Sequence, residues 1–141
     1  MNTLILYATK SGASDRCAHI LADRLGGCTV CSLSAPLPDI THYDRVIIGS
    51  GVRVGKLYKP ARQFLTTQQD ILLGREFAFF LCNALPNEFE KTVAQNIPQA
   101  LRDTAVTIRS FGGKMPFWKK DERADWLLTG EVALFVEELQ Q

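Results

Sequence analysis

Short apolar runs alternate with segments of helical periodicity along the chain. Thr3–Ala8, Val46–Ser50 and Phe77–Cys82 are nearly continuous apolar runs, a pattern typical of parallel strands buried on both faces. Cys28–Leu33 and Ala105–Phe111 are more mixed and are predicted as two further strands. The alternation of strands and helices predicts an α/β fold in which right-handed crossovers connect parallel strands.

Apolar residues at helical spacing predict the helices that connect these strands. The connection Ser34–Tyr43 has room for only a short turn of helix from Asp39. Pro60 is expected at the first position of the third helix, which should end near Gln69, and Pro98 should kink or split the fourth. The apolar positions of the first and fourth helices are Cys17, Ile20, Leu21 and Leu25, and Phe89, Val93, Ile97 and Leu101.

A last helix completes the predicted architecture. It is expected from Asp121 or Asp125 to Leu139, with Gly130 in its middle and with Leu128, Val132, Phe135 and Leu139 buried. Strands and helices in this order suit a doubly wound sandwich of three layers, formed by a single domain over residues 1–141. Ligands of such sheets bind beyond the carboxyl ends of the strands, so functional residues are expected in the loops there.

Composition and charge restrict the class of protein. The 141 residues are 46% hydrophobic and 22% charged, which is usual for a globular domain. The longest apolar runs are far shorter than the roughly 18 residues of a membrane span, and the first residues lack the pattern of a signal peptide. Sixteen Lys and Arg against 15 Asp and Glu give a net charge of +1, which argues against a nucleic-acid-binding protein.

The cysteines and histidines predict neither a disulfide framework nor a metal site. Four scattered cysteines and two histidines lack the spacing of either, so a reducing, cytoplasmic setting is expected. Cys28 and Cys31 have C-x-x-C spacing, but they lie in a predicted strand, where residues three apart point to opposite faces. We interpret them as two buried small hydrophobic residues, and Cys82 as a core residue rather than a nucleophile.

The loop after the first strand has the chemistry of a phosphate cradle. Residues Thr9–Ser14 offer three hydroxyls, a glycine, exposed backbone N–H groups and the positive end of the following helix. Their spacing fits neither the P-loop of nucleotide hydrolases nor the G-x-G-x-x-G pattern of dinucleotide binding. From these residues alone, an ordinary strand-to-helix turn with Ser14 as N-cap is an equally good interpretation.

Two motifs resemble those of a known family. Thr9-x-Ser11-Gly12-x-Ser14, directly after the strand L-I-L-Y-A, is similar to the T-x-[ST]-G-x-[ST] phosphate loop of flavodoxins, which bind FMN. Tyr43–Lys56 resembles the Y-D-x-V-I-I-G-x-x-[IV]-R-x-G stretch of the flavodoxin-domain subfamily that includes menaquinone-dependent protoporphyrinogen dehydrogenases. Both motifs lie in the first half of the chain.

The resemblance implies a flavodoxin-like three-layer sandwich with a five-stranded parallel sheet of order 2-1-3-4-5, and FMN as the cofactor. The loop Thr9–Ser14 would hold the phosphate, and the ring would lie against the loop Ser50–Lys56 and the loop after Cys82. Flavodoxins stack aromatic residues on the ring, and Tyr58 is the aromatic residue near the third-strand loop. The expected FMN-binding residues are Thr9, Lys10, Ser11, Gly12, Ala13, Ser14, Ser50, Gly51, Val52, Arg53, Val54, Gly55, Asn83, Ala84 and Leu85.

Three functions are compatible with this resemblance. The first is electron transfer through bound FMN to a redox partner protein, with no catalytic side chain because the flavin supplies the redox chemistry. The second is an oxidoreductase similar to protoporphyrinogen dehydrogenase that acts on a small anionic substrate. The third is a degenerate flavodoxin fold that serves as a binding module. The subfamily's long basic and hydrophobic insertion is missing, since only Gly112–Arg123 precedes the last helix, and this favours the carrier. The basic loops at the strand ends and the motif that contains Arg53 favour the relative of the dehydrogenase.

Two basic stretches flank the expected ring position. Arg53–Arg62 and Arg109–Lys120 each contain four Lys or Arg and no acid, which favours an anionic partner or substrate. The second stretch contains Met115–Trp118, whose Phe-Trp pair could cover the flavin, grip an aromatic substrate, touch a membrane surface peripherally or fold back on the core. These four roles stay open at the level of sequence.

Overall fold

The computed structural model describes residues 1–82, 85–112 and 126–141 and contains the predicted alternation of strands and helices. The strands are β1 (Thr3–Ala8), β2 (Cys28–Ser32), β3 (Arg45–Arg53), β4 (Lys56–Leu57), β5 (Glu76–Cys82) and β6 (Thr107–Ser110). The helices are α1 (Ala13–Leu25), α2 (Lys59–Thr67), α3 (Gln69–Leu73), α4 (Phe89–Asn96), α5 (Gln99–Thr104) and α6 (Thr129–Gln140), with 3-10 turns at Ile40–His42 and Pro86–Glu88.

Five strands form a parallel sheet in the order β2-β1-β3-β5-β6, and β4 pairs antiparallel with the end of β3. Without the short β4, this is the predicted order 2-1-3-4-5, and the flavodoxin-like sandwich is confirmed. The strand order reverses between β1 and β3, where Ala8 pairs with Ser50. The crevice expected to hold a ligand therefore lies beyond these two residues.

Both faces of the sheet are covered by helices. Along β1, Leu4 and Leu6 belong to the apolar cluster that includes α2, α3 and α5, whereas Ile5 belongs to the cluster that includes α1 and α6. Successive side chains of a strand point to opposite faces, so burial of both faces requires a continuous apolar run. This is why Thr3–Ala8 was predictable to the residue.

The helices on the α2 face follow the predicted positions with differences in extent. Pro60 is the second residue of α2 and not the first, and after Thr67 the chain continues as α3 to Leu73. The helix thus ends two residues before the predicted end near Gln69, and α3 is a separate short helix. Pro98 is the N-cap of α5 and separates it from α4, as predicted, because proline lacks the N–H that an uninterrupted helix needs.

The last helix starts later than predicted. It begins at Thr129 and not at Asp121 or Asp125, two residues that lie outside the described part of the chain. Leu127 pairs with Gly112 in an antiparallel bridge, so the backbone there is extended. The helix consequently cannot run through this position.

Burial corrects two further predictions. Leu128 is 45% exposed because it precedes the first turn of α6, whereas three predicted core positions of that helix are buried, namely Val132, Phe135 and Leu139. Cys28 and Cys31 are half-buried rather than buried, since β2 is an edge strand. They lie on opposite faces of the sheet, as predicted.

Candidate functional site

Helix α1 follows the loop after β1, and its N-cap residue has no side chain that could cap it. The N-cap is Gly12, with a φ of +88°, and not Ser14, so the alternative interpretation of Ser14 as N-cap is wrong. The Gly12 N–H donates to Thr9 Oγ1 at 2.8 Å, and the Ala13 N–H donates to Ser11 Oγ at 3.4 Å. The first turn of α1 thus offers N–H groups and a positive helix end to an anion.

Ser14 provides a second, independent sign of a ligand at this loop. Its side chain is 1% exposed, and its Oγ has no hydrogen-bond partner in the described structure. A buried hydroxyl without a partner costs about 1–3 kcal/mol. A phosphate oxygen at the loop would satisfy this hydroxyl, so the residues present fit the phosphate of FMN.

Tyr58 connects the loop after β1 to the end of β3. Lys10 Nζ lies 5.0 Å from the centroid of the Tyr58 ring, and the Tyr58 N–H donates to Ser50 Oγ at 3.1 Å. A Cβ on Gly51 would lie 2.5 Å from Tyr58 Cε2, so the tyrosine ring requires glycine there. Because Tyr58 is only 7% exposed, its ring is packed inside the protein rather than presented for stacking on a flavin.

The predicted loop Ser50–Lys56 is mostly strand. Ser50 is fully buried, with its hydroxyl donating to the Gly51 carbonyl at 2.8 Å, and β3 continues to Arg53. Gly51 pairs with Cys82 at the end of β5. The sheet therefore brings the end of β3 next to the loop after Cys82, where the predicted residues Asn83 and Ala84 lie outside the described residues.

A two-residue turn joins β3 to β4 in a strained conformation. Val54 and Gly55 have φ values of +51° and +74°, the signs of a type I′ hairpin turn. Positive φ is unfavourable for a β-branched residue and costs roughly 1–2 kcal/mol. Val54 is 92% exposed, so packing within the chain does not compensate this cost. Such strain is characteristic of positions that serve binding.

Asn96, the last residue of α4, fastens this hairpin to the helix. Its Oδ1 accepts from the Leu57 N–H at 3.1 Å, and its Nδ2 donates to the carbonyls of Gly55 and Thr92 at 2.8 Å each. The sequence pattern does not reveal this role, because an asparagine before Ile97-Pro98 is also an ordinary helix end. The side chain sets the position of the turn relative to α4.

A cavity of about 280 Å³ lies between the hairpin and α4. It brings together four residues of the predicted FMN site, namely Val52, Val54 and Gly55 of the hairpin and Leu85, which is 59% exposed. Polar side chains of the turn before α4 and of α4 itself complete the lining, namely Glu88, Lys91, Thr92 and Gln95. The cavity therefore has an apolar side formed by the hairpin and a polar side formed by the helix.

The two basic stretches have different structural environments. Arg109 Nε donates to Glu138 Oε1 at 2.7 Å, and a second nitrogen of Arg109 lies 3.3 Å from Glu131 Oε1. Its hydrogen bond to Glu138 raises the pKa of Arg109, and hydrogen bonds from Arg109 and Thr107 lower the pKa of Glu138. Arg109, the first cation of the second basic stretch, is therefore neutralised within the fold.

Residues 113–120 of the second stretch lie outside the described residues, and these include Lys114, Met115, Phe117, Trp118, Lys119 and Lys120. In the first stretch, Arg53, Lys56, Lys59 and Arg62 are exposed. None of these four forms an ion pair within residues 1–82, 85–112 and 126–141. The first stretch thus contributes free positive charge beside the hairpin.

The cysteines are part of the core and the edge strand. Cys17 and Cys82 are buried with their sulfurs 3.9 Å apart, and the hydrogen bond between them, together with burial, raises the pKa of Cys17. Such a thiol is a poor nucleophile. Among the described residues, no group of three or more His, Cys, Asp or Glu is placed to hold a metal ion, and no helix has the length and apolar character to cross a bilayer.

Comparisons with known proteins agree with this geometry. Residues 4–120 match the family described as Flavodoxin domain. The chain is 29% identical over 100 residues to protoporphyrinogen IX dehydrogenase [quinone] of Escherichia coli strain K12. The matched region covers 67% of this chain and 55% of that protein. The chain thus spans about half the length of the curated relatives it matches.

Solved structures share the fold at low sequence identity. A flavoprotein in complex with FMN from Lactobacillus acidophilus superposes with a TM-score of 0.64 at 17% identity, covering 77% of this chain and 92% of that one. Oxidised flavodoxin 2 from Bacillus cereus superposes with a TM-score of 0.62 at 18% identity, covering 99% and 98%. These similarities extend the agreement from the sequence motifs to the whole sheet.

Proposed function

The chain belongs to the flavodoxin domain family, and from this premise we propose that it binds FMN and transfers electrons through it as a single flavodoxin-like domain. The observation that carries the proposal is the buried, unpartnered hydroxyl of Ser14 beside the uncapped start of α1. Both features lie at the reversal of strand order, where ligands of this fold bind. When bound, FMN supplies the redox chemistry.

The residues proposed to hold the phosphate are those of the loop Thr9–Ser14. Its helix N-terminus favours negative charge, and the Ser14 hydroxyl offers a donor that the folded chain leaves unused. The loop contains one such cradle, and the sequence has no second glycine-rich loop for a pyrophosphate. The proposal is therefore FMN and not a dinucleotide.

The residues proposed to contact the ring are the hairpin and the turn before α4. Val54 and Leu85 expose apolar surface to the same cavity, and covering them with an apolar ring would remove that surface from water. Asn83 and Ala84 remain part of the proposed site because they directly follow β5. Asn96 would orient the ring indirectly, through its hydrogen bonds to the hairpin.

A second candidate function is an FMN-dependent oxidoreductase that acts on a small anionic substrate. The similarity to protoporphyrinogen IX dehydrogenase [quinone] over 100 residues supports it. Anaerobic incubation of the FMN-loaded protein with protoporphyrinogen IX and a quinone distinguishes the two functions. Formation of protoporphyrin at a rate that depends on the protein indicates the enzyme, whereas electron exchange with a redox protein and no protoporphyrin formation indicates the carrier.

The FMN site is tested by removing the two serine hydroxyls of the loop. We expect Ser11→Ala with Ser14→Ala to weaken FMN binding by roughly 1–3 kcal/mol for each charge-assisted hydrogen bond lost. The measurement is a fluorescence titration of FMN with the apo-protein, and Ser34→Ala, an exposed serine after β2, is the matched control. Wild-type affinity in the double variant would reject the site.

A further inference from the structure

Exposed cations line the surface formed by the β3–β4 hairpin, α2 and α4. We call this the basic face, and its cations are Arg53, Lys56, Lys59, Arg62 and Lys91. None of the five forms an ion pair with another described residue. Glu88 is an acid that lines the same cavity as one of these cations, Lys91. The basic face therefore keeps a net positive charge.

Three cavities run along the basic face and share lining residues. The cavity beside the hairpin shares Gly55 and Gln95 with a second cavity of about 330 Å³. The second shares Arg62 and Thr66 with a third of about 340 Å³. The groove thus extends from the proposed FMN ring position to the end of α2, and four of the five cations line it, namely Lys91, Lys56, Arg62 and Lys59.

The tip of the β3–β4 hairpin has two features that destabilise the isolated chain. Arg53 and Lys56 are direct cross-strand partners, and like charges in that position destabilise a pair of strands. Between them Val54 exposes an apolar side chain from a strained backbone. With Leu85 across the cavity, Val54 forms an apolar centre that has charged residues at its margin, which is the arrangement of a protein interface.

From these features we propose that the basic face is the docking surface for an acidic region of a redox partner protein, which covers the part of Val54 that the flavin ring leaves exposed and brings its redox centre next to FMN. The partner's carboxylates would neutralise the cations along the groove, and its apolar surface would cover the hairpin tip. This inference rests on the proposed function for the identity of the cofactor, but not for the charge of the partner.

The observations favour an acidic protein over two other anionic ligands. A small anion requires several donors that converge on one point. The cations that line the groove are instead spread over three cavities, and Arg62 is the one cation of the basic face that lines two of them. A nucleic acid requires a larger basic excess than the net charge of +1 and gains nothing from an apolar centre. An acidic protein surface matches both the charge and the apolar tip.

The test uses the FMN-loaded protein with two probes of opposite charge, a plant-type [2Fe–2S] ferredoxin, which is acidic, and cytochrome c, which is basic. Stopped-flow absorbance records electron exchange with each probe at ionic strengths of about 10 mM and about 500 mM. We expect the ferredoxin rate to fall at least about tenfold as salt rises, because screening removes the steering. The cytochrome c rate should rise or stay constant.

Charge reversal locates the effect on the basic face. Lys56→Glu with Lys59→Glu should lower the ferredoxin rate at low salt about tenfold and should converge with the wild type at high salt. The matched control is Arg24→Glu with Arg16→Glu, which makes the same change in net charge on exposed positions of α1. The control should change the rate less than about twofold.

Two outcomes overturn the inference. One is a ferredoxin rate that does not depend on salt, and the other is an equal fall in the control variant. Failure of the proposed function is separately visible, because FMN affinity is measured for each protein by fluorescence titration. If FMN does not bind, NMR titration of the apo-protein with ferredoxin still decides the inference. Shifts confined to the hairpin, α2 and α4 support it, and shifts elsewhere or none overturn it.

Discussion

The two sides of the molecule use basic residues in opposite ways. On the side of α6, Arg109 is paired with Glu138 and Glu131, and Arg45 donates to Glu76 at 2.7 Å and to the Leu139 carbonyl at 2.8 Å. On the basic face, the cations are exposed and have no ion-pair partner among the described residues. The first set stabilises the fold, whereas the second is available to a ligand or a partner.

The comparison shows why a basic stretch in the sequence does not by itself predict a basic surface. Arg53–Arg62 and the stretch that begins at Arg109 look alike along the chain. The acids that neutralise Arg109 come from α6, at sequence separations of 22 and 29 residues. Only the folded chain brings them together, so the sequence alone cannot separate Arg109 from the unpaired cations of a basic stretch.

The largest expected effect on stability comes from removing one of the paired arginines on the side of α6. Arg45→Met removes a mostly buried guanidinium and leaves Glu76 and the Leu139 carbonyl without their donor. We expect the free energy of unfolding to fall by about 2–4 kcal/mol. Urea denaturation measures it, with Lys59→Met on the basic face as the control, which should change stability by less than about 0.5 kcal/mol. Equal losses in both variants would contradict the distinction between the two sides.

Reversing one charge of the basic face should change the potential of bound FMN. Full reduction of the flavin adds negative charge, which nearby cations stabilise, so Arg53→Glu should make the potential more negative. Arg53→Glu changes the charge by two units, so at about 7 Å in an effective dielectric between 20 and 80 the shift is roughly 1.2–4.7 kcal/mol, or about 50–200 mV for one electron. Spectroelectrochemical titration measures the shift. An unchanged or less negative potential would place Arg53 away from the ring.

The smallest expected effect is relief of strain at the hairpin tip. Asparagine tolerates positive φ better than valine, so Val54→Asn should stabilise the apo-protein by about 0.5–1.5 kcal/mol. Thermal and urea denaturation measure the change, and Val52→Asn, on β3 before the turn, is the control expected to destabilise. If Val54→Asn is no more stable than the wild type, the strain assigned to the turn is absent.

The sequence predicts a structural feature well where the residues that cause it are close together along the chain. The bounds of β1 follow from burial of both faces, and the break between α4 and α5 follows from Pro98. The β3–β4 hairpin was missed because its turn is Val54-Gly55, and valine at positive φ is not a hairpin signal. The sequence therefore predicted a loop where the structure has two paired strands.

The same distinction between local and distant causes applies to the candidate site. The phosphate loop was predicted because its glycine and hydroxyls are adjacent in sequence. The sequence could not show that the N-cap is Gly12 and that the Ser14 hydroxyl is left without a partner, since both depend on how α1 packs. Asn96 was missed because its partners Gly55 and Leu57 lie about 40 residues earlier, at separations of 41 and 39.

The most direct test of the account is a cycle that combines Ser14→Ala with removal of the phosphate from the ligand. Fluorescence titrations of wild type and variant are made with FMN and with riboflavin, which has the same ring but no phosphate. We expect Ser14→Ala to weaken FMN binding about tenfold and to leave riboflavin binding unchanged, because the proposed contact of the hydroxyl is with the phosphate alone. The apo-variant should be at least as stable as wild type, since it loses a buried hydroxyl without a partner. Equal weakening of both ligands, or of neither, would contradict the assignment of the phosphate to this loop.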